Sequence, residues 1–381
     1  MPDDSKLETI PVGSLGIVAH QSCTGLGEKV DHYLVKWRAN RDNVHKDNIV
    51  FHGYEADTYL ISADCPRFGS GEAKGVLNES VRGKDIYIMV DVGNYSCTYM
   101  MAGQPQRMSP DDHYADLKRL IAAMTDKPKK ITVIMPFLYE SRQHKRSSRE
   151  SLDCAVMLQE LKSYGVDNIV TFDAHDPRVV NAIPKSGFEN VRPTYQFIKT
   201  LLRTTPDLEI DNNHMMVISP DEGAMHRAIY FANLLGVDVG MFSKRRDYSR
   251  VVDGRNPIVA HEFLGDSVEG KDVIIIDDMI ASGESMIDVA RLFTKGLDVF
   301  DKCHEEGLIE KVITTNLTYQ MPDLFKKDWY ESADMSKYIA LIIDHLNHDA
   351  SISELLDPAE RINARITEYK EKHTISDNYE M

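Results

Sequence analysis

Ser267-Val-Glu-Gly-Lys-Asp-Val-Ile-Ile-Ile-Asp-Asp-Met-Ile-Ala-Ser-Gly-Glu-Ser285 is the stretch on which the reading of this chain turns. Its four β-branched residues, Val273 to Ile276, make the short apolar run of a buried parallel strand. The run ends in two adjacent carboxylates, Asp277 and Asp278. A turn of small residues follows, and 286–293 resumes with helical spacing. Ligands of open α/β sheets sit beyond the carboxyl ends of the strands. A Gly- and Ser-containing turn at a helix N-terminus presents backbone N–H groups to a phosphate. Paired acids beside such a turn suit ribose hydroxyls or a hydrated Mg²⁺. The combination predicts a ribose-phosphate site. Taken alone, the run also fits an ordinary strand–turn–helix with solvated acids at its corner.

The 381 residues suffice for two domains of ordinary size. Hydrophobic residues make up 42% and charged residues 27%, a globular rather than a disordered composition. A formal net charge of −16 argues against nonspecific binding to nucleic acid or an anionic membrane. A phosphorylated substrate therefore needs local basic clusters. The cysteines (Cys23, Cys65, Cys97, Cys154, Cys303) are scattered without a CxxC pair, which fits a reducing cytoplasm better than a disulfide or metal framework. The N-terminal residues lack the basic and apolar regions of a signal peptide, and no apolar run has the length to span a membrane.

Working outward, the stretch 80–91 (Ser-Val-Arg-Gly-Lys-Asp-Ile-Tyr-Ile-Met-Val-Asp) repeats the pattern of 267–278. Both are a Gly-Lys-Asp turn feeding an apolar strand, which predicts duplicated α/β domains. Strands are expected at 86–91, 130–135, 168–173, 215–219, 237–243, 273–277 and 311–316. Helices are expected at 112–124, 151–164 and 223–235. This alternation implies parallel sheets flanked by helices. The Gly-, Pro- and Asn-rich stretch 184–193 is the expected domain boundary. The predicted organisation is an N-terminal extension (1–47), a first domain (48–192), a second domain (193–360) and a charged tail (361–381), helical and then frayed.

Six motifs, in order, give the chain a family resemblance. They are Arg67-Phe-Gly-Ser-Gly-Glu72 followed by Glu79-Ser-Val-Arg-Gly-Lys-Asp85; Pro136-Phe-Leu-Tyr139 with Arg142-Gln143 and Arg149-Glu150; and Phe172-Asp-Ala-His175. Ile218-Ser-Pro-Asp-Glu-Gly223, Lys244-Arg-Arg246 and Asp277-Asp-Met-Ile280 complete the set. Over about 50–355 the chain resembles ribose-phosphate pyrophosphokinases, which make phosphoribosyl pyrophosphate from ATP and ribose 5-phosphate. The resemblance implies two phosphoribosyltransferase-like domains and Mg²⁺-dependent diphosphoryl transfer. It implies catalytic roles for Lys244 and Arg246, and ATP contacts from Phe68, Glu72, Arg142, Gln143 and His175. Asp277, Asp278, Ser282, Gly283 and Ser285 take the ribose-phosphate side, and His175 and Asp221 the metal. In the family the adenine-side loop reaches a neighbouring subunit, so a homo-oligomer, dimer or hexamer, is expected.

Each residue also has a plainer reading. Asp221 suits the cap of the following helix, His175 a strand-end histidine held by a carbonyl, Phe68 a packing anchor, and Lys244 and Arg246 a solvated basic loop. As a catalytic segment, 244–265 reads as a lid that follows a strand. The match of Gly265 to Lys271 with a P-loop is accidental: Asp272 stands where Ser or Thr is required, and the run precedes a strand.

The chain departs from the family pattern. Ala281-Ser-Gly-Glu-Ser285 replaces Asp-Thr-Gly-Gly-Thr, removing one carboxylate and adding another within a phosphate loop. His144 follows Arg142-Gln143 where Asp is usual. Thr315-Asn316-Leu317 replaces Thr-His-Gly, and the segment 94–112 is extra. The altered loop motivates a second hypothesis, a catalytically impaired homologue that binds nucleotide or sugar phosphate and regulates a partner. A third is a phosphoribosyltransferase, for which the ATP-side motifs have no use.

Overall fold

The computed structural model describes residues 9–41, 53–246, 258–279, 297 and 300–377, with the backbone alone for 244–246, 258–261 and 373–377. The chain forms two compact units, Met1–Gln196 with Leu297–Asp357, and Phe197–Gly296 with Pro358–Met381.

The first unit is built on an all-parallel sheet of five strands in sequential order: β1 (Ser14–Ala19), β2 (Lys84–Met89), β3 (Lys130–Ile134), β4 (Asn168–Phe172) and β5 (Gly187–Val191). The expected extension over 1–47 thus contributes an edge strand, β1, and a helix, α1 (Thr24–Asn40). The expected boundary at 184–193 carries β5, paired with β4, so the sheet runs through it. Alternation along β2 explains why its sequence reads as a continuous apolar run. Ile86 and Ile88 join one cluster with Leu117 and Leu120 of α2 (Pro110–Ala123) and Leu158 and Leu161 of α3 (Asp153–Ser163). Tyr87 and Met89 join another with Leu34 of α1. Both faces are covered, as parallel sheets require.

The second unit begins within α4 (Thr194–Thr204) and contains a four-stranded sheet in the order β8-β7-β6-β9. These strands are β6 (Met215–Ser219), β7 (Asp238–Arg246), β8 (Ile258–Leu264) and β9 (Asp272–Ile275). β7 and β9 pair with β6 in parallel, and β8 pairs with β7 antiparallel. Between β6 and β7 lies α5 (Met225–Leu235), closed by Gly236 at φ 73°, the left-handed conformation that ends many helices. The C-terminal segment is helical, as its pattern predicts. It forms the helix Ala359–Asp377, which buries Ile362 and Ile366, and Tyr369 Oη lies 2.5 Å from the carbonyl of Pro206.

Residues 312–357 return to the first unit. The parallel pair β10 (Val312–Thr315) and β11 (Tyr330–Ala333) leads into α6 (Ser336–Asn347), whose Ile339 and Ile342 complete the α1-side cluster. A second domain continuous over 193–360 is therefore not what folds. No described helix is long and apolar enough to cross a membrane.

Helix α2 shows how sequence sets local structure. Ser109 and Asp112 form a reciprocal capping box with Pro110 in the first turn. Its inward face then buries His113 and Asp116 beside the leucines. His113 Nε2 lies 2.9 Å from the Asn94 carbonyl, so this nitrogen carries the proton. Burial pushes the His113 pKa down to about 4. An unfolded-state histidine titrates near 6.5, so the unfolded chain binds the extra proton first as pH falls. Stability from this residue is complete above that value and is lost as pH drops toward 4, by about 3 kcal/mol in total. Asp91, raised in the same unit, gives the opposite slope, so the difference in urea stability between wild type and His113→Gln from pH 7 to 4 isolates this contribution and should shrink as pH falls.

Candidate active site

In the first unit, polar groups collect at the C-terminal ends of β2 and β4. Past β4, the Asp173 N–H still bonds the Val191 carbonyl (2.9 Å), after which Asp173 takes φ 45° and turns the chain off the sheet. His175 follows, its backbone N–H on Ser141 Oγ at 3.0 Å and its ring 5.4 Å from that of His144. His144 Nε2 lies 3.4 Å from Asp176, which Arg178 grips through Nε (2.9 and 3.1 Å) and a terminal nitrogen (2.5 Å). That guanidinium holds the Asp176 carboxyl well below the usual range. Arg142 is exposed on the same loop. Gln143 donates its amide to the carbonyls of Ser151 (2.7 Å) and Lys145 (3.3 Å), so it braces the loop it belongs to.

At the end of β2, Asp91 is buried and accepts N–H groups from Gly93 (2.9 Å) and Tyr319 (2.7 Å). Burial nevertheless pushes its pKa up to about 7. Phe68, by contrast, is 54% exposed, so it does not anchor a core within this chain. Glu72 lies in the same exposed loop and accepts the Ser70 hydroxyl at 2.9 Å.

In the second unit, β6 and β9 are neighbours, and the Ile276 N–H continues their pairing to the Ile218 carbonyl at 3.2 Å. Both strands then end in acids. Asp221 Oδ1 accepts the N–H groups of Gly223 (2.9 Å) and Ala224 (3.2 Å), so the turn-capping role is present. Asp277 accepts the Asp278 N–H at 2.8 Å. Burial, then the neighbouring carboxylates of Asp278 and Asp221, push the Asp277 pKa up to about 6. Arg227 of α5, itself buried, reaches Asp278 at 3.6 Å. Three carboxylates and one guanidinium thus converge at two adjacent strand ends. Such an oxygen-rich set with excess negative charge fits a hydrated Mg²⁺ or sugar hydroxyls.

Lys244 and Arg246 do not follow a strand as expected. Both lie within β7, opposite His261 and Ile258 of β8, and strand alternation assigns positions 244 and 246 to one face. Ala281, Ser282, Gly283, Glu284 and Ser285, and most of the expected lid, lie outside the described residues.

Comparison with known proteins agrees with this division. Residues 15–165 match the N-terminal domain of ribose phosphate pyrophosphokinase, and residues 188–296 match the phosphoribosyl transferase domain. The chain belongs to the ribose-phosphate pyrophosphokinase family. Relatives carrying that name include one from Aquifex aeolicus, 26% identical over 78% of this chain and 91% of its own length. Another, from Shewanella oneidensis, is 29% identical over 76% of this chain and 89% of its own. The crystal structure of phosphoribosylpyrophosphate synthetase from Mycobacterium smegmatis superposes with a TM-score of 0.63 at 20% identity, covering 88% of this chain and all of that one. The fold is thus a pair of phosphoribosyltransferase-like domains, as expected of the family.

Within this family framework, sequence reading missed Arg227, His144 and Asp176. For Arg227 a signal existed. The buried apolar residues of α5 and its cap are Ala224, Ala228, Phe231, Ala232 and Leu235, and position 227 shares their helical stripe. A charge on an apolar stripe marks a buried ion pair. The His144–Asp176 contact had no such signal, because only the fold brings the two loops together.

Proposed function

We propose that this chain is a ribose-phosphate diphosphokinase acting on Mg-ATP and ribose 5-phosphate. The observation that carries the reading is the convergence of Asp221, Asp277 and Asp278 with Arg227 at the ends of β6 and β9. In the reaction the ribose 1-oxygen bonds to the β-phosphorus of ATP, and the β-phosphorus bond to the α,β-bridging oxygen breaks. AMP leaves with that oxygen, and the hydroxyl proton is released. The chemistry needs positioning and charge neutralisation more than covalent catalysis.

Asp277 and Asp278 would accept the ribose hydroxyls, with Arg227 paired to Asp278. Ser282, Gly283 and Ser285 would present donors to the 5-phosphate. His175 and Asp221 are the proposed Mg²⁺-side residues; when bound, the ion would screen the phosphate charge. Phe68 would stack on adenine, with Glu72 beside it and Arg142 on the triphosphate. Gln143 is assigned to loop support. Lys244 and Arg246 would neutralise charge on the transferring group. A cytoplasmic homo-oligomer is part of the same reading.

Purified protein with Mg-ATP should release AMP only when ribose 5-phosphate is added. ATP binding without sugar-dependent AMP would favour the regulatory reading, for which the substitutions at Ala281 and Glu284 speak. Base-dependent release of pyrophosphate from phosphoribosyl pyrophosphate would instead mark a phosphoribosyltransferase.

A further inference from the structure

The ribbon formed by Thr98–Met101 and Gln104–Arg107 lies in the segment 94–112 that the chain adds to the family pattern. Two-stranded ribbons are marginal by themselves, so their attachments indicate their purpose. The Met108 N–H closes the foot of this one on the Cys97 carbonyl (2.9 Å), and buried Met108 anchors that end. Its tip turns through Ala102 (φ 49°) and Gly103 (φ 77°), and there the Ala102 N–H donates to the carbonyl of Gly69 (2.8 Å). A Cβ at Gly71 would lie 2.8 Å from Met101 Sδ. The Arg67 guanidinium sits 4.6 Å above the Tyr99 ring and donates to Asp116, wholly buried in α2, at 2.8 Å. Gly75, a few residues on, crosses α2 so closely that a Cβ would meet the Arg119 carbonyl oxygen at 2.2 Å.

The loop Arg67–Glu72 has short-range bonds within it, Phe68 N–H to Glu72 (2.7 Å) and Gly71 N–H to Phe68 (2.9 Å), but its aromatic side chain is exposed. Burial of Phe68 therefore does not hold its shape. We propose that the 98–107 hairpin is a strut that holds this loop ready for its ligand, with Tyr99 as the positioning residue that fixes Arg67 against Asp116. The role for the nucleotide rests on the adenine-side reading of Phe68. A loop ordered beforehand binds more tightly because ordering is not charged to the binding step.

Tyr99→Leu removes the cation–π face, whereas Tyr99→Phe keeps it. In the full chain without ligand, hydrogen exchange of peptides covering 66–74 should be about tenfold faster in Tyr99→Leu and unchanged in Tyr99→Phe. Exchange in helix 153–163 serves as the folding control and should not move. Wild-type exchange over 66–74 in folded Tyr99→Leu overturns the strut. If that variant does not fold, Met101→Ser, at an exposed position, carries the same test. The Kd for Mg-ATP should rise about fivefold in Tyr99→Leu only, with kcat at saturation unchanged. Equal Kd values in the two Tyr99 variants overturn the link to nucleotide. Failure of the wild type to bind ATP counts against the adenine-side reading alone, since the exchange test uses no ligand.

Discussion

Lys244→Ala is expected to lower the turnover of diphosphoryl transfer by about 10²–10³-fold while changing the Kd for Mg-ATP by less than about fivefold. The asymmetry follows from where charge develops. A group that meets the phosphoryl oxygens mainly in the transition state raises kcat without strengthening ground-state binding. On the proposed role, strand alternation makes the expectation specific. Lys244 and Arg246 are alternate residues of β7, and the pairing with β8 keeps this alternation, since the irregularity at Arg245/Arg246 skips a residue of the partner strand. Arg246→Ala should therefore resemble Lys244→Ala, and Arg245→Ala, at the position between them, should be nearly silent. Single-turnover kinetics with ATP and ribose 5-phosphate decide the matter. Unchanged turnover in Lys244→Ala would remove the lysine from the catalytic group, and equal losses in all three variants would point to general electrostatics instead.

The largest effect on stability is expected from Asp344→Asn. Asp344 is 1% exposed and accepts Arg38 Nε (3.1 Å) and a terminal nitrogen (2.9 Å) on one oxygen, and Arg41 (2.6 Å) on the other. Burial opposes its ionisation, but the two arginines outweigh burial and hold its pKa below the usual value. Its contribution is therefore present above pH about 4 and lost only in stronger acid. Arg38 also donates to Asn347 (2.8 Å) and lies 4.6 Å over the Tyr54 ring. Neutralising the carboxylate leaves two buried guanidinium groups without their counter-ion, which costs about 3–5 kcal/mol. The melting transition of the first unit should fall by roughly 10 °C. Glu368→Gln, which breaks an exposed pair with Lys372 at 2.7 Å, should leave that transition nearly unmoved, because solvent screens the pair. Equal shifts in the two variants would show that the buried network does not tie α6 to α1.

The alternation of apolar runs with helical spacing was enough to read a duplicated α/β fold, because strands buried on both faces must be apolar throughout. Every expected strand is present within a few residues. The paired acids at 277–278 were legible because carboxylates directly after an apolar run lie at the strand's end; the run itself is not the buried strand expected of it, since β9 ends the sheet and leaves Val273 41% and Ile275 62% exposed. What escaped the sequence depended on distant partners. The strand 14–19 looked like part of an extension because a single edge strand carries no periodic signal; it is fixed by pairing with 84–89. The return of residues 312–357 to the first unit rests on Arg38 and Arg41 meeting Asp344, across some 300 positions of chain. Arg227 beside Asp278, and Tyr99 under Arg67, likewise come together only after the sheets have formed. Local sequence therefore determined which elements form and which residues end them, because propensity and burial pattern act over a few residues. Tertiary structure alone decided which charges are neutralised and which loops are held, because Coulomb attraction and packing act between groups that only the folded chain makes neighbours.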